Sequence, residues 1–155
     1  MYRNIGVLIT SLACLAGTAR ANDISELEGH WRTVRHNAEV NITDCGDGSP
    51  CGYLIAVSED VSGGETRDVR NGNRNLRARP LNGLPILWGY SAGKNCWENG
   101  RLYNPETGQT FRSSIHPISK NELQVKGCLG PFCRQQIWRR IDQPDHANNR
   151  SNTND

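Results

Sequence analysis

Short apolar segments separated by turn residues are the feature that most restricts the fold of this 155-residue chain. Most are β-branched or aromatic, they recur about every ten residues, and helical periodicity is nearly absent. Alternation of apolar and polar residues is clearest in Leu123-Gln124-Val125 and in 137–141. The eight strand candidates are 31–34, 40–42, 53–57, 86–90, 101–103, 110–115, 123–125 and 136–141. Eight successive strands predict an antiparallel meander.

The segment Asn104-Pro105-Glu106-Thr107-Gly108 predicts a hairpin, because Pro suits the first corner of a type I turn and Gly tolerates positive φ. Since open sheet edges invite aggregation, the strands need either a closed barrel or two packed sheets, and a barrel is simpler. A barrel of this size is filled by side chains or holds one small ligand. We therefore expect an all-β meander barrel, interrupted by a polar loop or short helix around 61–82.

The N-terminus has the pattern of a cleaved signal peptide. Arg3 precedes an apolar stretch at 5–16, and Ala19-Arg20-Ala21 places small residues where a signal peptidase reads them. The apolar stretch is too short to span a hydrocarbon core of about 30 Å. A lipoprotein is the alternative, because Cys14 follows Leu12-Ala13, although Ser11 stands where a lipid-attachment motif prefers Leu. Either way the sequence predicts export, to the periplasm or beyond, without a membrane span.

The composition argues against nucleic acid as a partner. The chain has 18 Lys and Arg against 16 Asp and Glu, and loss of Arg3 and Arg20 with the signal peptide would make the two numbers equal. No global attraction to a polyanion follows. Residues 142–155 are rich in Asn, Asp and Ser, which predicts a disordered tail. The expected organisation is a signal peptide at 1–21, a β-barrel domain at 22–141 and a tail at 142–155.

Five cysteines remain after cleavage, which implies disulfides in an oxidising compartment. Proximity favours Cys45 with Cys51 and Cys128 with Cys133, although two bridges and one free thiol can be drawn in about fifteen ways. Each short loop would stabilise the fold by about 2 kcal/mol. Cys96 is left over, and burial, a link to another chain or a different pairing are all open to it. The spacing does not suit zinc.

An arginine-rich segment is the most specific candidate for binding. It contains Arg67, Arg70, Arg74, Arg77 and Arg79. Guanidinium groups on a loop over a barrel mouth can hold an anionic group through bidentate hydrogen bonds. The alternative is a solvated loop whose arginines pair with nearby carboxylates such as Glu59, Asp60 and Glu65. Arg77 and Arg79 are the better candidates, because the rigid apolar segment 80–85 follows them.

Catalytic and metal motifs are weaker. Ser91-Ala92-Gly93-Lys94 matches Ser-x-x-Lys, but without the helix start and companion motifs that this chemistry requires. The histidines lack a second ligand at helical spacing, so we expect neither a metal nor another cofactor. We name no catalytic residue, and a hydrolase with scattered carboxylates stays an alternative.

Several blocks resemble a bacterial family called domain of unknown function 2147. They are Gly29-His30-Trp31, Cys45 with Cys51-Gly52, Arg67-Asp68 with Asn71, Leu76 to Leu87, Trp97 to Gly108, Leu123 to Gly127, and Trp138-Arg139-Arg140. The resemblance covers nearly the whole mature chain and implies an exported, lipocalin-like barrel. Phe111 departs from the family, which tends to have Tyr there, and the cysteines 96, 128 and 133 belong to only part of it.

The barrel and the resemblance together assign residues to two roles. Trp31, Trp97, Trp138 and Arg140 are expected to be structural, with Arg140 stacking on Trp31 where the first and last strands meet. Trp138 then shares the face of Arg140, because the two lie two residues apart on a strand. The candidate ligand-binding residues are Arg67, Asp68, Asn71, Arg77 and Arg79.

Three functions fit these observations. The first is a non-enzymatic binding module for a small amphipathic or anionic ligand. The second is a structural or interaction module that contacts another envelope protein through its surface or through Cys96. The third is an enzyme, which would need convergent carboxylates or a histidine beside a nucleophile.

Overall fold

The computed structural model describes residues 22–141, so the predicted signal peptide and tail lie outside the described residues. The strands are β1 Gly29–Thr33, β2 Glu39–Asp44, β3 Pro50–Ala56, β4 Pro85–Trp88, β5 Ser91–Ala92, β6 Trp97–Asn104, β7 Gln109–Ser119, β8 Glu122–Leu129 and β9 Phe132–Ile141. The helical segments are the 3-10 turns Ile24–Glu26 and Arg74–Leu76 and the single-turn helix α1 Glu59–Ser62. Within residues 22–141, no helix has the length and apolar character needed to cross a membrane.

The strands close into a barrel. Along the sheet the order is β4-β3-β2-β1-β9-β8-β7-β6-β5, and all pairings are antiparallel. β4 also pairs with β6, with Leu87 opposite Leu102, and this pairing joins the two ends of the sheet. β5 is a two-residue arm on β6. The predicted all-β meander barrel of eight strands is therefore confirmed.

Side-chain alternation directs the apolar residues inward. In β8, Leu123 and Val125 are fully buried, whereas Gln124 and Lys126 between and beyond them are not. In β2 the same period of two buries Val40. The buried core comprises Leu27, Trp31, Ala38, Val40, Ile42, Leu54, Leu84, Ile86, Leu87, Tyr90, Trp97, Tyr103, Ile115, Leu123, Val125 and Trp138. One continuous core lies inside the barrel.

Trp31 lies at the end of the barrel where the chain enters β1. Its indole N–H donates a hydrogen bond of 2.7 Å to the carbonyl oxygen of Leu27, in the turn that follows the first 3-10 segment. Arg140 is its register partner on β9, and the guanidinium carbon lies 4.2 Å from the centroid of the Trp31 ring. This is the stacking contact predicted from the sequence, and it covers the ring at this end of the barrel.

Arg140 also joins three separate parts of the chain. Its Nη2 and Nη1 donate to the carbonyl oxygens of Glu26 and Glu28, at 2.8 and 2.6 Å, and its Nε donates to that of Lys120 at 2.7 Å. Gly29 is required beside it, because a Cβ there would overlap the guanidinium and the backbone has φ of +122°. The N-terminal turn, the β7–β8 turn and β9 therefore meet at one cation, which closes this end of the barrel.

The two disulfides confirm the pairing favoured by proximity. Cys45–Cys51 joins β2 to β3 near the closed end, and Cys128–Cys133 joins β8 to β9 at the opposite end. Cys96 is a free thiol and only 3% exposed, so burial is the outcome among the alternatives left open.

The long connection between β3 and β4 contains little helix. A polar loop or a short helix around 61–82 is predicted from the sequence, and within 63–82 the structure has a loop with one 3-10 turn at Arg74–Leu76. The chain leaves the helical path because it pairs with the start of the connection: Asp68 donates its N–H to the oxygen of Arg79, and Leu81 donates to that of Thr66. These bonds fold the connection onto itself.

Arg140→Met tests the closed end. We expect the free energy of unfolding to fall by about 2–4 kcal/mol, because the variant loses the ring contact and three charge-assisted hydrogen bonds. Arg139→Met is the matched control, since Arg139 is exposed and has a 3.7 Å ion pair with Glu122, worth about 0.5 kcal/mol. Urea unfolding with intact disulfides measures both, and equal losses would contradict this role for Arg140.

Candidate functional site

A cavity of about 490 Å³ occupies the half of the barrel away from Arg140. The β1–β2 loop, the β6–β7 turn and the β8–β9 turn surround its mouth, and Val57 at the start of the β3–β4 connection also lines it. Trp31, Ile42 and Leu123 do not line it and instead fill the closed half. The barrel is thus packed at one end and open at the other.

The cavity wall is mainly apolar. Strands from all sides contribute to it: Ala38, Val40, Leu54, Val57, Ile86, Leu102, Phe111, Val125, Leu129, Phe132 and Trp138. Near the mouth, the Cys128–Cys133 disulfide holds a hairpin tip whose Phe132 is 79% exposed and whose Leu129 is 48% exposed. Such a surface favours a ligand with a substantial apolar part.

One strand adds a polar stripe to this wall. Arg134, Gln135, Gln136 and Trp138 of β9 line the cavity, and Arg134, Gln136 and Trp138 share one face of the strand. Within residues 22–141, the Nε1 of Trp138 and the Oε1 of Gln136 are buried and have no hydrogen-bond partner. A buried polar group left in that state costs about 1–3 kcal/mol, which a new hydrogen bond to either atom would recover.

Charged residues surround the mouth. Arg35, His36, Glu106 and Arg134 all line it. The Nδ1 of His36 lies 3.2 Å from a carboxylate oxygen of Glu106, and this contact joins the β1–β2 loop to the β6–β7 turn from opposite sides of the barrel. The contact narrows the entrance.

The structure brings three of the five predicted ligand-binding residues together in a buried network. Asp68 is 0% exposed, and it accepts hydrogen bonds from Asn71, from two nitrogens of Arg79 and from the hydroxyl of Tyr103. Asn71 also donates to the Tyr103 hydroxyl oxygen at 3.0 Å. This network fastens the β3–β4 connection to β6. The ion-pair partner of Arg79 is thus Asp68, at 2.8 Å.

The other two predicted residues lie on the outside of the same connection. Arg67 donates to the carbonyl oxygen of Ala78, and Arg77 donates through Nε to that of Asn71 at 2.7 Å. None of the five lines the barrel cavity within the described residues, although Arg67 lines a separate groove of about 470 Å³ beside β3. Their role in ligand binding stays a prediction.

Arg70 holds the connection over the β6–β7 turn. Its Nη1 donates to the carbonyl oxygen of Glu106 at 2.6 Å. Gly108 is needed in that turn, because its φ is +68° and a Cβ would overlap the Arg70 carbonyl oxygen. The connection therefore packs against a turn that borders the cavity mouth.

Four residues at the cavity were not predicted from the sequence: Arg35, His36, Arg134 and Gln136. A signal for two of them was present, because Trp138 and Arg140 were placed on one face of β9 and the same period of two continues to 136 and 134. Arg35 and His36 carry no such signal. Only the closure of the barrel places their loop over the cavity.

Two further polar sites bear on reactivity. Burial raises the pKa of the Cys96 thiol, and the neighbouring Glu98 carboxylate raises it further, so its nucleophilic thiolate is disfavoured. Ser91 lies in β5 and donates to the carbonyl oxygen of Glu98, while Lys94 is exposed in the following turn. Among residues 22–141, no three His, Cys, Asp or Glu side chains converge as a metal site.

The fold and cavity define a class of protein, the small closed antiparallel barrel of lipocalin type with one open end. The chain belongs to the bacterial family described as "Uncharacterized protein conserved in bacteria (DUF2147)", whose model matches residues 29–140. This confirms the resemblance found in the sequence. No curated protein matches the chain.

A solved structure shares the barrel. It is described as "Protein HP1028 from the human pathogen Helicobacter pylori belongs to the lipocalin family", and the match has a TM-score of 0.64 and 23% sequence identity. The match covers 75% of this chain and 83% of the other. At this identity the similarity shows the fold alone.

Tyr103→Phe tests the network around Asp68. Burial, together with the hydrogen bond to Asp68, raises the pKa of Tyr103 from 10.0 to about 12. Because the folded state prefers the neutral phenol, its contribution to stability is complete below pH 10 and is lost as the pH rises through about 12. We expect the variant to lack a phenolate absorbance step near pH 12, which Tyr53→Phe should retain. An unchanged titration would contradict the assignment.

Proposed function

We propose that this protein is exported through cleavage of residues 1–21 and binds a small amphipathic or anionic ligand in its barrel cavity, without catalysing a reaction or using a cofactor. Two disulfides fit an oxidising compartment, which supports export to the periplasm or beyond. Membership of the family and the lipocalin-like fold support binding rather than catalysis.

The open cavity is the observation that carries this proposal. Its volume of about 490 Å³ falls within the usual range for small-molecule sites, roughly 300–1,000 Å³. The apolar wall supplies affinity through burial of apolar surface, and the few polar groups supply orientation. A barrel that served only as a scaffold would be more stable with this half filled, as its closed half is.

A role as an interaction module is the second candidate, and one observation favours it. Phe132 and Leu129 expose apolar surface on a hairpin tip that a disulfide holds, and such projecting residues suit contact with another envelope protein. Cys96 suits that role less well, because a thiol 3% exposed is poorly placed for an intermolecular disulfide.

Gly127→Leu tests the cavity as the binding site. Gly127 lines it, and a side chain there would contact Leu102 and Phe111, so Leu should occupy ligand space. We expect anilinonaphthalene sulfonate, an amphipathic anionic dye, to bind the wild type and to bind the variant about tenfold more weakly, equivalent to about 1.4 kcal/mol.

Lys126→Leu is the matched control, because Lys126 is adjacent on β8 and exposed outside the barrel. It should retain wild-type affinity for the dye. Thermal unfolding of both variants separates a blocked cavity from a damaged fold. Equal dye affinity of folded Gly127→Leu and wild type would contradict binding inside the barrel.

Arg77→Gln tests the proposed contribution of the arginine-rich connection. Only the Nε of Arg77 makes a hydrogen bond within residues 22–141, so its terminal nitrogens are available to an anionic group. If Arg77 contacts the anionic group of the ligand, affinity for the anionic dye should fall about threefold or more in the variant, while affinity for uncharged dodecanol should not change. Unchanged affinity for both would remove Arg77 from the binding site.

A further inference from the structure

The inward face of β9 crosses the whole cavity. Arg134 lies at the mouth, Gln136 follows, and Trp138 lies deepest before Arg140 at the closed end. Arg134 and Trp138 are about 13 Å apart along the strand, given the rise of an extended chain. A ligand that follows this face meets three polar side chains in a fixed order.

The two buried tryptophans on neighbouring strands differ in one respect. Trp31 donates its N–H to the carbonyl oxygen of Leu27, as buried indoles usually do. Trp138 is 2% exposed and lines the cavity, yet its N–H has no partner within residues 22–141. The wall of the cavity therefore contains a buried hydrogen-bond donor with no acceptor in the described chain.

Gln136 presents the complementary function. Its buried Oε1 accepts no hydrogen bond from the described residues, and it lies two residues nearer the mouth on the same face. A buried donor and a buried acceptor thus lie in a mainly apolar wall. A hydroxyl group supplies both matching functions, because its oxygen accepts and its hydrogen is donated.

Charge is confined to the mouth. Arg35 and Arg134 line it, and the side chain of neither makes a hydrogen bond or an ion pair with the described residues. An anionic group placed deep in the apolar cavity would lose its hydration with no cation beside it. It is better placed at the entrance, where these two arginines can reach it.

We propose that the ligand is an elongated anionic amphiphile with a neutral, oxygen-bearing polar group at its far end. Arg134 and Arg35 take the anionic head at the mouth, the apolar wall takes the chain, and Trp138 donates to the distal oxygen. Gln136 accepts the hydrogen of that group when the group is a hydroxyl. This assignment rests on the proposed function, since it requires the cavity to bind a ligand.

The test uses three probes of one chain length, below their micellar concentrations. They are dodecanoate, ω-hydroxydodecanoate and uncharged dodecanol, and calorimetric titration of the disulfide-intact protein measures their affinities. We expect the hydroxylated acid to bind about fivefold more tightly than dodecanoate, as one added hydrogen bond provides. Dodecanol, whose hydroxyl can take the distal place, should bind about fivefold more weakly than ω-hydroxydodecanoate because it lacks the charge.

Trp138→Phe keeps an aromatic ring and removes the N–H. The advantage of the hydroxylated acid should disappear in this variant, while dodecanoate affinity changes by less than about twofold. Trp88→Phe is the matched control, because Trp88 is 37% exposed and does not line the cavity, and it should keep the advantage. Arg134→Gln should weaken both acids and leave dodecanol unchanged.

The outcomes separate this inference from the proposed function. Equal affinity for the two acids in the wild type, or an advantage that survives in Trp138→Phe, would overturn the inference and leave cavity binding intact. Failure of all three probes to bind the wild type would overturn both. If Trp138→Phe does not fold by circular dichroism, Gln136→Met decides through the same ratio, which should fall toward one.

Discussion

The contact between Arg140 and Trp31 is the constraint on which the rest of the structure depends. A meander of eight strands becomes a barrel only if the first and last strands pair, and these two residues are register partners across that seam. The guanidinium also gathers carbonyl oxygens from two connecting segments, which are otherwise distant in sequence. Because carbonyl oxygens at chain turns lack strand partners, a cation with several fixed donors satisfies them at once. The same side chain, Arg140, therefore supports closure of the barrel and caps one end of it.

Capping one end makes the barrel asymmetric, and the asymmetry creates the cavity. Trp31 and its neighbours fill the closed half, so the open space lies at the other end. At that end, three sets of contacts hold the segments around the opening in place. The Cys128–Cys133 bridge stiffens one hairpin, the buried Asp68 network fastens the β3–β4 connection to β6, and the His36–Glu106 contact joins two opposite loops. The resulting entrance is preorganised, which lowers the ordering cost of binding.

Much of the fold could be predicted from the sequence, because alternation and turn chemistry are local properties. The spacing of Leu123 and Val125 predicts that both point into the barrel. The disulfide pairing was predicted because the paired cysteines are only a few residues apart. The site was harder, because it is made by closure. Arg35 and Arg134 lie far apart in the sequence, and only closure of the barrel brings both to the lining of one cavity. The conspicuous arginine cluster at 67–79 instead places Arg79 against the buried Asp68, a partner eleven residues away.

Clustering in the sequence and contacts in the structure therefore point to different arginines as ligand-binding residues. A guanidinium has five donors, and its value to a ligand depends on how many of them the protein already uses. Arg140 and Arg79 have their donors engaged by carbonyl oxygens and by a buried carboxylate, so moving them to a ligand would break the fold. The guanidinium groups of Arg35 and Arg134 have no hydrogen-bond or ion-pair partner among the described residues and border an apolar cavity in which burial of charge is costly. The same reasoning applies to the two tryptophans, since the donor of Trp31 is satisfied by the fold and that of Trp138 is not. Unused hydrogen-bonding capacity beside a cavity, rather than the density of charged residues along the chain, identifies the groups that a ligand can engage.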